Sequence, residues 1–232
     1  MAVYSRPHIT ISAATTIDGR IATKTGDSRI SSNIDMIRLH RLRARTDAIL
    51  VGRNTMLHDD PLLTVRYVSG QNPTRIILDP FGEILSNSQI LTTCDLVPTI
   101  LVLTSSADIK NQRRLAEFNV QIIQTGIERL DLQWLAHTLF QNYNIKTVLV
   151  EGGGATNWSF IQAGLFDEII LTISPHIAGG GISVMDGEGF ARIHDSPSLH
   201  LKSIQPQGDE VVLHYTRNTI QHSGDGSDYH RT

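Results

Sequence analysis

Two stretches of this chain run apolar and then stop at glycine. One is Ala48-Ile49-Leu50-Val51-Gly52; the other is Thr147-Val148-Leu149-Val150, followed by Glu151 and the triplet Gly152-Gly153-Gly154. A strand with no polar face must be covered on both sides, which is the mark of a strand inside a parallel sheet. Comparable runs lie at Arg75–Leu78, Thr99–Leu103, Val120–Ile123 and Glu168–Ile173, with helical patterns between several of them at roughly 108–118, 131–142 and 155–163. Strands alternating with helices predict crossover units and an α/β fold: a central, mostly parallel sheet with helices on both faces. Pro7 to Thr15 reads as an opening strand, followed by a polar, turn-rich stretch from Asp18 to Ser32. Ser32-Asn33-Ile34-Asp35 suits a capping box for a helix running to about Thr46. At the other end, Leu199–Gln205 and Glu210–Thr216 flank Pro206-Gln207-Gly208-Asp209 and predict an antiparallel C-terminal hairpin. The expected organisation is one domain over residues 1–217 and a disordered tail over 218–232, rich in His, Ser, Gly and Asp.

The chain has 232 residues and a formal net charge of -3, so no basic surplus exists to displace counterions from a nucleic-acid backbone. Cys94 is the single cysteine, which excludes an intrachain disulfide and a cysteine-based zinc site; it reads as a buried bystander. The ten histidines are scattered, with no His-x-x-x-His pair, so no metal is expected. The first residues lack the apolar core of a signal peptide, and no apolar run approaches the roughly 18 residues of a membrane span. A cytoplasmic protein with a small-molecule partner, without nucleic acid or membrane, is the expectation. Trp134 and Trp158 fall on helical patterns and suit the core or an interface, while Asp186-Gly187-Glu188-Gly189 resembles a turn near the site.

The glycine triplet between a buried strand and a helix is the strongest local signal. Glycine lets backbone approach a ligand closely, and the free N–H groups of the helix start favour an anion such as a pyrophosphate. A tight turn that binds nothing is the competing reading. The segment is not the Rossmann fingerprint, because Asn157 stands where the third glycine belongs, and no Gly-Lys-Ser/Thr makes it a Walker loop. A dinucleotide site of another type fits better. Gly179-Gly180-Gly181, after Ser174-Pro175-His176, could equally be a linking turn. The run Val51 to Arg66 places many polar groups just past a buried strand, where open α/β sheets bind ligands. Its Asp59-Asp60-Pro61 reads either as a bare helix stop or as a set of acceptors for a ligand.

Several blocks in order resemble one family. They are Ser12-Ala13-Ala14-Thr15-Thr16-Ile17-Asp18-Gly19-Arg20-Ile21-Ala22, Gly26-Asp27-Ser28-Arg29-Ile30-Ser31, His40-Arg41-Leu42-Arg43-Ala44, and Val51-Gly52 with Thr55, Asp59-Asp60-Pro61 and Leu63-Thr64-Val65-Arg66. Asn72-Pro73-Thr74-Arg75 and Glu151-Gly152-Gly153-Gly154 follow. Over about residues 7–216 the chain resembles the riboflavin-biosynthesis reductases, meaning the reductase half of the bacterial deaminase-reductase and the free-standing archaeal and fungal diaminopyrimidine reductases.

The resemblance implies a dihydrofolate-reductase-like fold, NADPH as hydride donor and a homodimer. By position it implies NADPH contacts at Thr55, Asp59, Asp79, Pro80, Gly152, Gly153, Gly154, Ala155 and Thr156, with Ala14 touching the cofactor through its backbone. It implies substrate contacts at Ser28, Arg43, Leu63, Arg66 and Glu151, of which Arg43 and Arg66 suit a forked grip on a 5′-phosphate. Glu151, or Asp59 through water, is the expected route for a proton. The implied reaction is reduction of the ribosyl group of 2,5-diamino-6-ribosylamino-4(3H)-pyrimidinone 5′-phosphate to a ribityl chain, or the same step on 5-amino-6-ribosylamino-uracil 5′-phosphate. A folate reductase and a non-catalytic nucleotide sensor are the rival classes. Two departures stand out: Ser12 occupies a place where the two-domain enzymes usually carry lysine, and the zinc deaminase signature is absent.

Overall fold

A computed structural model describes residues 6–218. The expected tail therefore lies outside the described residues, apart from Asn218. In chain order the elements are β1 (His8–Thr15), β2 (Arg20–Ala22), α1 (Asn33–Arg43), β3 (Ala48–Gly52), α2 (Arg53–Asp59), β4 (Thr74–Leu78), α3 (Gln89–Thr92), β5 (Thr99–Leu103) and α4 (Ile109–Leu115). They continue with β6 (Gln121–Gln124), α5 (Leu132–Tyr143), β7 (Thr147–Val150), α6 (Gly154–Gln162), β8 (Glu168–Ile173), β9 (Ile182–Ser183), β10 (Leu199–Gln207) and β11 (Glu210–Arg217).

One nine-stranded sheet is ordered β10-β11-β8-β1-β7-β3-β4-β5-β6. From β8 to β6 every neighbouring pair is parallel, and β11 and β10 close the other edge antiparallel. The alternation of side chains along each inner strand splits the core in two. Ala48, Leu50, Ile76, Ile100 and Val102 join Leu135 and Leu139 of α5 and Phe160 of α6 on one face. Ile49, Val51, Ile77 and Leu101 join Met56 of α2, Ile90 of α3 and Leu115 of α4 on the other. These strands read as continuous apolar runs because each face has its own helices to meet.

The helix α1 is different, since its buried residues are Asp35, His40 and Arg43. Ser32 caps it, with its Oγ accepting from the Asp35 N–H at 3.2 Å. The return arm expected of a capping box is absent. Asp35 instead accepts from Arg38 Nε and Thr172 Oγ1, at 2.7 and 2.6 Å. The Ser32 N–H and hydroxyl donate to Glu210 of β11 at 2.8 and 2.6 Å. The polar face of α1 is thus pinned to the sheet by hydrogen bonds where the other helices use apolar packing, and the helix stops at Arg43, short of Thr46.

Two further features depart from expectation. Residues 18–32 contain a strand, β2, which pairs antiparallel with β9 as a separate two-stranded flap. Asp18 ties the flap down by accepting from the N–H groups of Ala178 and Gly179, at 3.0 and 2.7 Å. The Gly179–Gly181 run is therefore part of the flap's anchorage. The helix α2 also begins directly at the end of β3, with no side-chain cap to announce it.

Candidate active site

The C-terminal ends of β3, β4 and β7 open into a cleft of about 930 Å³, roofed by residues of the β2–β9 flap. Parallel strands deliver their following loops to one edge of the sheet, so residues far apart in sequence meet there.

The glycine triplet forms the floor. A Cβ added to Gly153 would meet only Thr55 Oγ1, at 3.4 Å, so the space before this residue is open on the cleft side. At Gly154, the first residue of α6, a Cβ would run into the Ser183 carbonyl of the flap and lie 2.7 Å from Asp186 Cβ. Gly153 is therefore bare toward the cleft, and Gly154 is bare because the flap packs on it. With Thr55, Ala155 and Thr156 also lining the cleft, this cradle fits the pyrophosphate of a dinucleotide: free N–H groups at a helix start, with no side chain in the way.

Beside the cradle, Glu151 follows β7 and lines the cleft, with its side chain 11% exposed. Its two carboxylate oxygens accept from Arg43 Nε and Nη2 at 2.8 and 2.6 Å. Arg43 Nη1 donates to the Thr64 carbonyl at 3.0 Å. Burial works against the charge on Arg43, but Glu151 outweighs it and lifts this guanidinium above its ordinary value. Arg66 reaches the same residue, donating from Nη1 to Thr64 Oγ1 at 2.9 Å, and its own N–H donates to His40 Nδ1 at 2.9 Å. His40 is fully buried, and burial first, then the charges of Arg43 and Arg66, push it down to about 4. It is neutral, with the proton on Nε2, which has no partner.

The paired aspartates divide. Asp60, in the left-handed region at φ 38°, accepts from the Gln89 N–H at 2.9 Å and ties α2 to α3. Asp59 faces the cleft, where the Ser28 hydroxyl lies 3.4 Å from its Oδ1. Asp60 thus ends α2 with its carboxylate engaged, and Asp59 is the one of the pair that lines the cleft.

Of the expected site residues, Ser28, Thr55, Asp59, Pro80, Glu151, Gly152, Gly153, Gly154, Ala155 and Thr156 line the cleft. The other five are not among its lining residues. Asp79 is fully buried, and its Oδ2 accepts from the Ile84 N–H at 2.9 Å; the carboxylate holds the loop after β4 and leaves Pro80 to face the cleft. Leu63 is 1% exposed and packs in the second core cluster, with φ at 52°. Ala14 pairs with Thr172 in the sheet and is not among the lining residues. Arg66 is exposed beside the cleft and does not line it. Arg43 is engaged by Glu151, so the expected two-arginine fork has one arm committed already.

Arg53, within the polar run after β3, also lines the cleft, and lining residues that the sequence did not signal include Phe81 and the stretch from Glu128 to Gln133. The last is the loop after β6 together with the start of α5, capped by Asp131 Oδ1 on the Trp134 N–H at 3.0 Å. Its place after a strand that ends on the same edge was the available clue. Trp158 packs edge-on to Phe190, whereas Trp134 is 47% exposed. Among the described residues no group of three His, Cys, Asp or Glu side chains is placed to hold a metal, and no helix is long and apolar enough to cross a membrane.

Residues 7–213 match the family model of the RibD C-terminal domain. The chain belongs to the RibD C-terminal domain family. A similar protein is the 2,5-diamino-6-ribosylamino-4(3H)-pyrimidinone 5′-phosphate reductase of Methanothermobacter thermautotrophicus, 37% identical over 91% of this chain and 98% of that one. Among solved structures, the RibD of Acinetobacter baumannii superposes with a TM-score of 0.79 and 25% identity; the domain covers 59% of that longer protein and 93% of itself is covered. A dihydrofolate reductase from Enterococcus faecalis, solved with NADP(H), matches at TM-score 0.50 and 15% identity. The fold is therefore dihydrofolate-reductase-like.

Proposed function

We propose that this chain is an NADPH-dependent reductase that converts the ribosylamino group of 2,5-diamino-6-ribosylamino-4(3H)-pyrimidinone 5′-phosphate into a ribitylamino group, a step of riboflavin biosynthesis. The observation that carries it is a bare glycine cradle next to the Arg43–Glu151 pair, in a chain of nearly the same span as the archaeal reductase. A cytoplasmic location and a homodimer follow from the same kinship.

NADPH supplies the hydride. The substrate's ring opens to an imine as the amine proton moves to the ring oxygen; hydride then reaches the former anomeric carbon and a proton reaches the nitrogen. The chain's part is placement and charge. Glu151, with both oxygens bonded to one guanidinium, is a fixed anion beside the reacting carbon; it favours the positive charge that develops on a protonated imine and can take a sugar hydroxyl. Asp59, facing the cleft with Ser28 as its partner, is the freer carboxylate and the better carrier of a proton through water. Arg66 is left to meet the 5′-phosphate, since no carboxylate within the described residues neutralises it.

The test is loss of NADPH absorbance on mixing the enzyme with each pyrimidine in turn. Oxidation faster with the diaminopyrimidinone than with the deaminated uracil analogue is expected. Oxidation with neither would overturn the assignment, and preference for the uracil form would move the substrate by one ring substituent.

A further inference from the structure

NADPH and NADH differ only in the phosphate on the adenosine 2′-oxygen, so a preference between them needs a cation where that oxygen lies. We propose that this cation is Arg129, in the loop between β6 and α5, and that it alone carries the preference for NADPH. The inference rests on the cofactor assignment above.

The sheet order and the cleft lining indicate where an adenosine would extend from the cradle. The glycine cradle ends β7, Pro80 and Phe81 follow β4, and Arg129 follows β6, in the spatial order β7-β3-β4-β5-β6. The segment after β6 turns back toward α6, where Gln133 Nε2 donates to the Ala163 carbonyl at 2.7 Å, and this brings Arg129 to the same cleft as the cradle. With the pyrophosphate on the cradle and the nicotinamide beside Glu151, the adenosine extends toward β4 and β6. Phe81, Leu130 and Leu132 give that end an apolar ledge suited to a purine.

Two arginines and no lysine line the cleft among the described residues. Arg53 is already engaged, in an ion pair with Glu83 and with its guanidinium 5.6 Å from the centre of the Phe81 ring. Arg129 is exposed and has no hydrogen bond or ion pair to another described residue, so its donors are open to a ligand. The neighbouring charges limit what it can do. Glu128 and Asp131 also line this end, although Asp131 is held as the cap of α5. One exposed charge-assisted contact among flanking carboxylates gives a discrimination of about ten-fold, well short of what a dedicated cluster of cations provides.

Isothermal titration of the full chain with NADP⁺ and with NAD⁺ reads this without turnover. The wild type should bind NADP⁺ about ten-fold more tightly. In Arg129→Ala the dissociation constant for NADP⁺ should rise about ten-fold while that for NAD⁺ stays within two-fold; Arg129→Glu should reverse the order. Because Arg129 is exposed, both variants should keep the wild-type circular dichroism. An unchanged ratio in Arg129→Ala, or a ratio lost in Arg53→Ala and kept in Arg129→Ala, overturns the proposal. If the wild type binds neither nucleotide, the cofactor assignment itself fails and this inference goes with it.

Discussion

Arg43 and Glu151 stand 108 residues apart in sequence and meet through two hydrogen bonds of 2.8 and 2.6 Å where Glu151 lines the cleft. Both side chains are nearly buried, at 7% and 11% exposure. A buried pair of this kind adds little net stability, but removing one partner leaves a bare charge and costs about 3–5 kcal/mol. Glu151→Ala should therefore lower unfolding free energy by about 3 kcal/mol in urea and reduce kcat/KM by at least about 100-fold. Arg43→Lys keeps the charge but not the fork, and should reduce kcat with a smaller loss of stability. A Glu151→Ala variant that is stable and active contradicts the role of this pair.

The glycines of the cradle should respond differently to the same substitution. Gly153→Ala places a methyl in open space, meeting only Thr55 Oγ1 at 3.4 Å, so the apo protein should melt within about 1 °C of wild type while cofactor affinity drops more than about ten-fold. Gly154→Ala meets the flap and should destabilise the protein even without ligand. Thermal melts with and without NADPH separate the two. Equal behaviour of the two variants would remove Gly153 from the binding surface.

Arg66→Ala should raise KM for the phosphorylated pyrimidine by about ten-fold or more and leave the NADPH dissociation constant unchanged. The effect should vanish with the dephosphorylated riboside. A similar loss with both substrates would show that Arg66 acts through Thr64 or His40 and not through the phosphate.

His40 gives the protein an acid-sensitive component. Its folded value of about 4 lies below the ordinary 6.5, so the unfolded chain binds the proton more readily. The stabilisation is complete above pH 6.5 and declines as the pH falls to about 4, by about 3 kcal/mol in all. His40→Asn, whose side-chain oxygen can still accept the Arg66 N–H, should flatten that part of the stability curve. Parallel curves for the two proteins between pH 4 and 6.5 would contradict it.

Much of the frame was legible because its strands are covered on both faces: Ala48–Gly52, Thr99–Leu103, Thr147–Val150 and Glu168–Ile173 are found at the expected residues. The hairpin was legible too, with Gly208 at φ 64° supplying its turn. The flap was not, because strands of three and two residues carry no periodicity, and neither was α2, which lacks a capping side chain. Within the site, side-chain direction was the hidden quantity. The motif block containing Asp59, Leu63 and Arg66 sends one residue to the cleft, one to the core and one to the surface. The motif around Arg75 is structural: its buried guanidinium donates to Thr99, Thr93 and the carbonyls of Ile90 and Val97, and burial lowers it only to about 10, so it stays charged.

Hydride transfer to the sugar is the central claim, and isotope labelling tests it directly. Incubation of the enzyme with the diaminopyrimidinone substrate and NADPH deuterated at the transferable position of the nicotinamide should give a ribitylamino product with one deuterium on the carbon bonded to nitrogen. Recovery of unlabelled product, deuterium elsewhere in the molecule, or unreacted ribosylamine would contradict it.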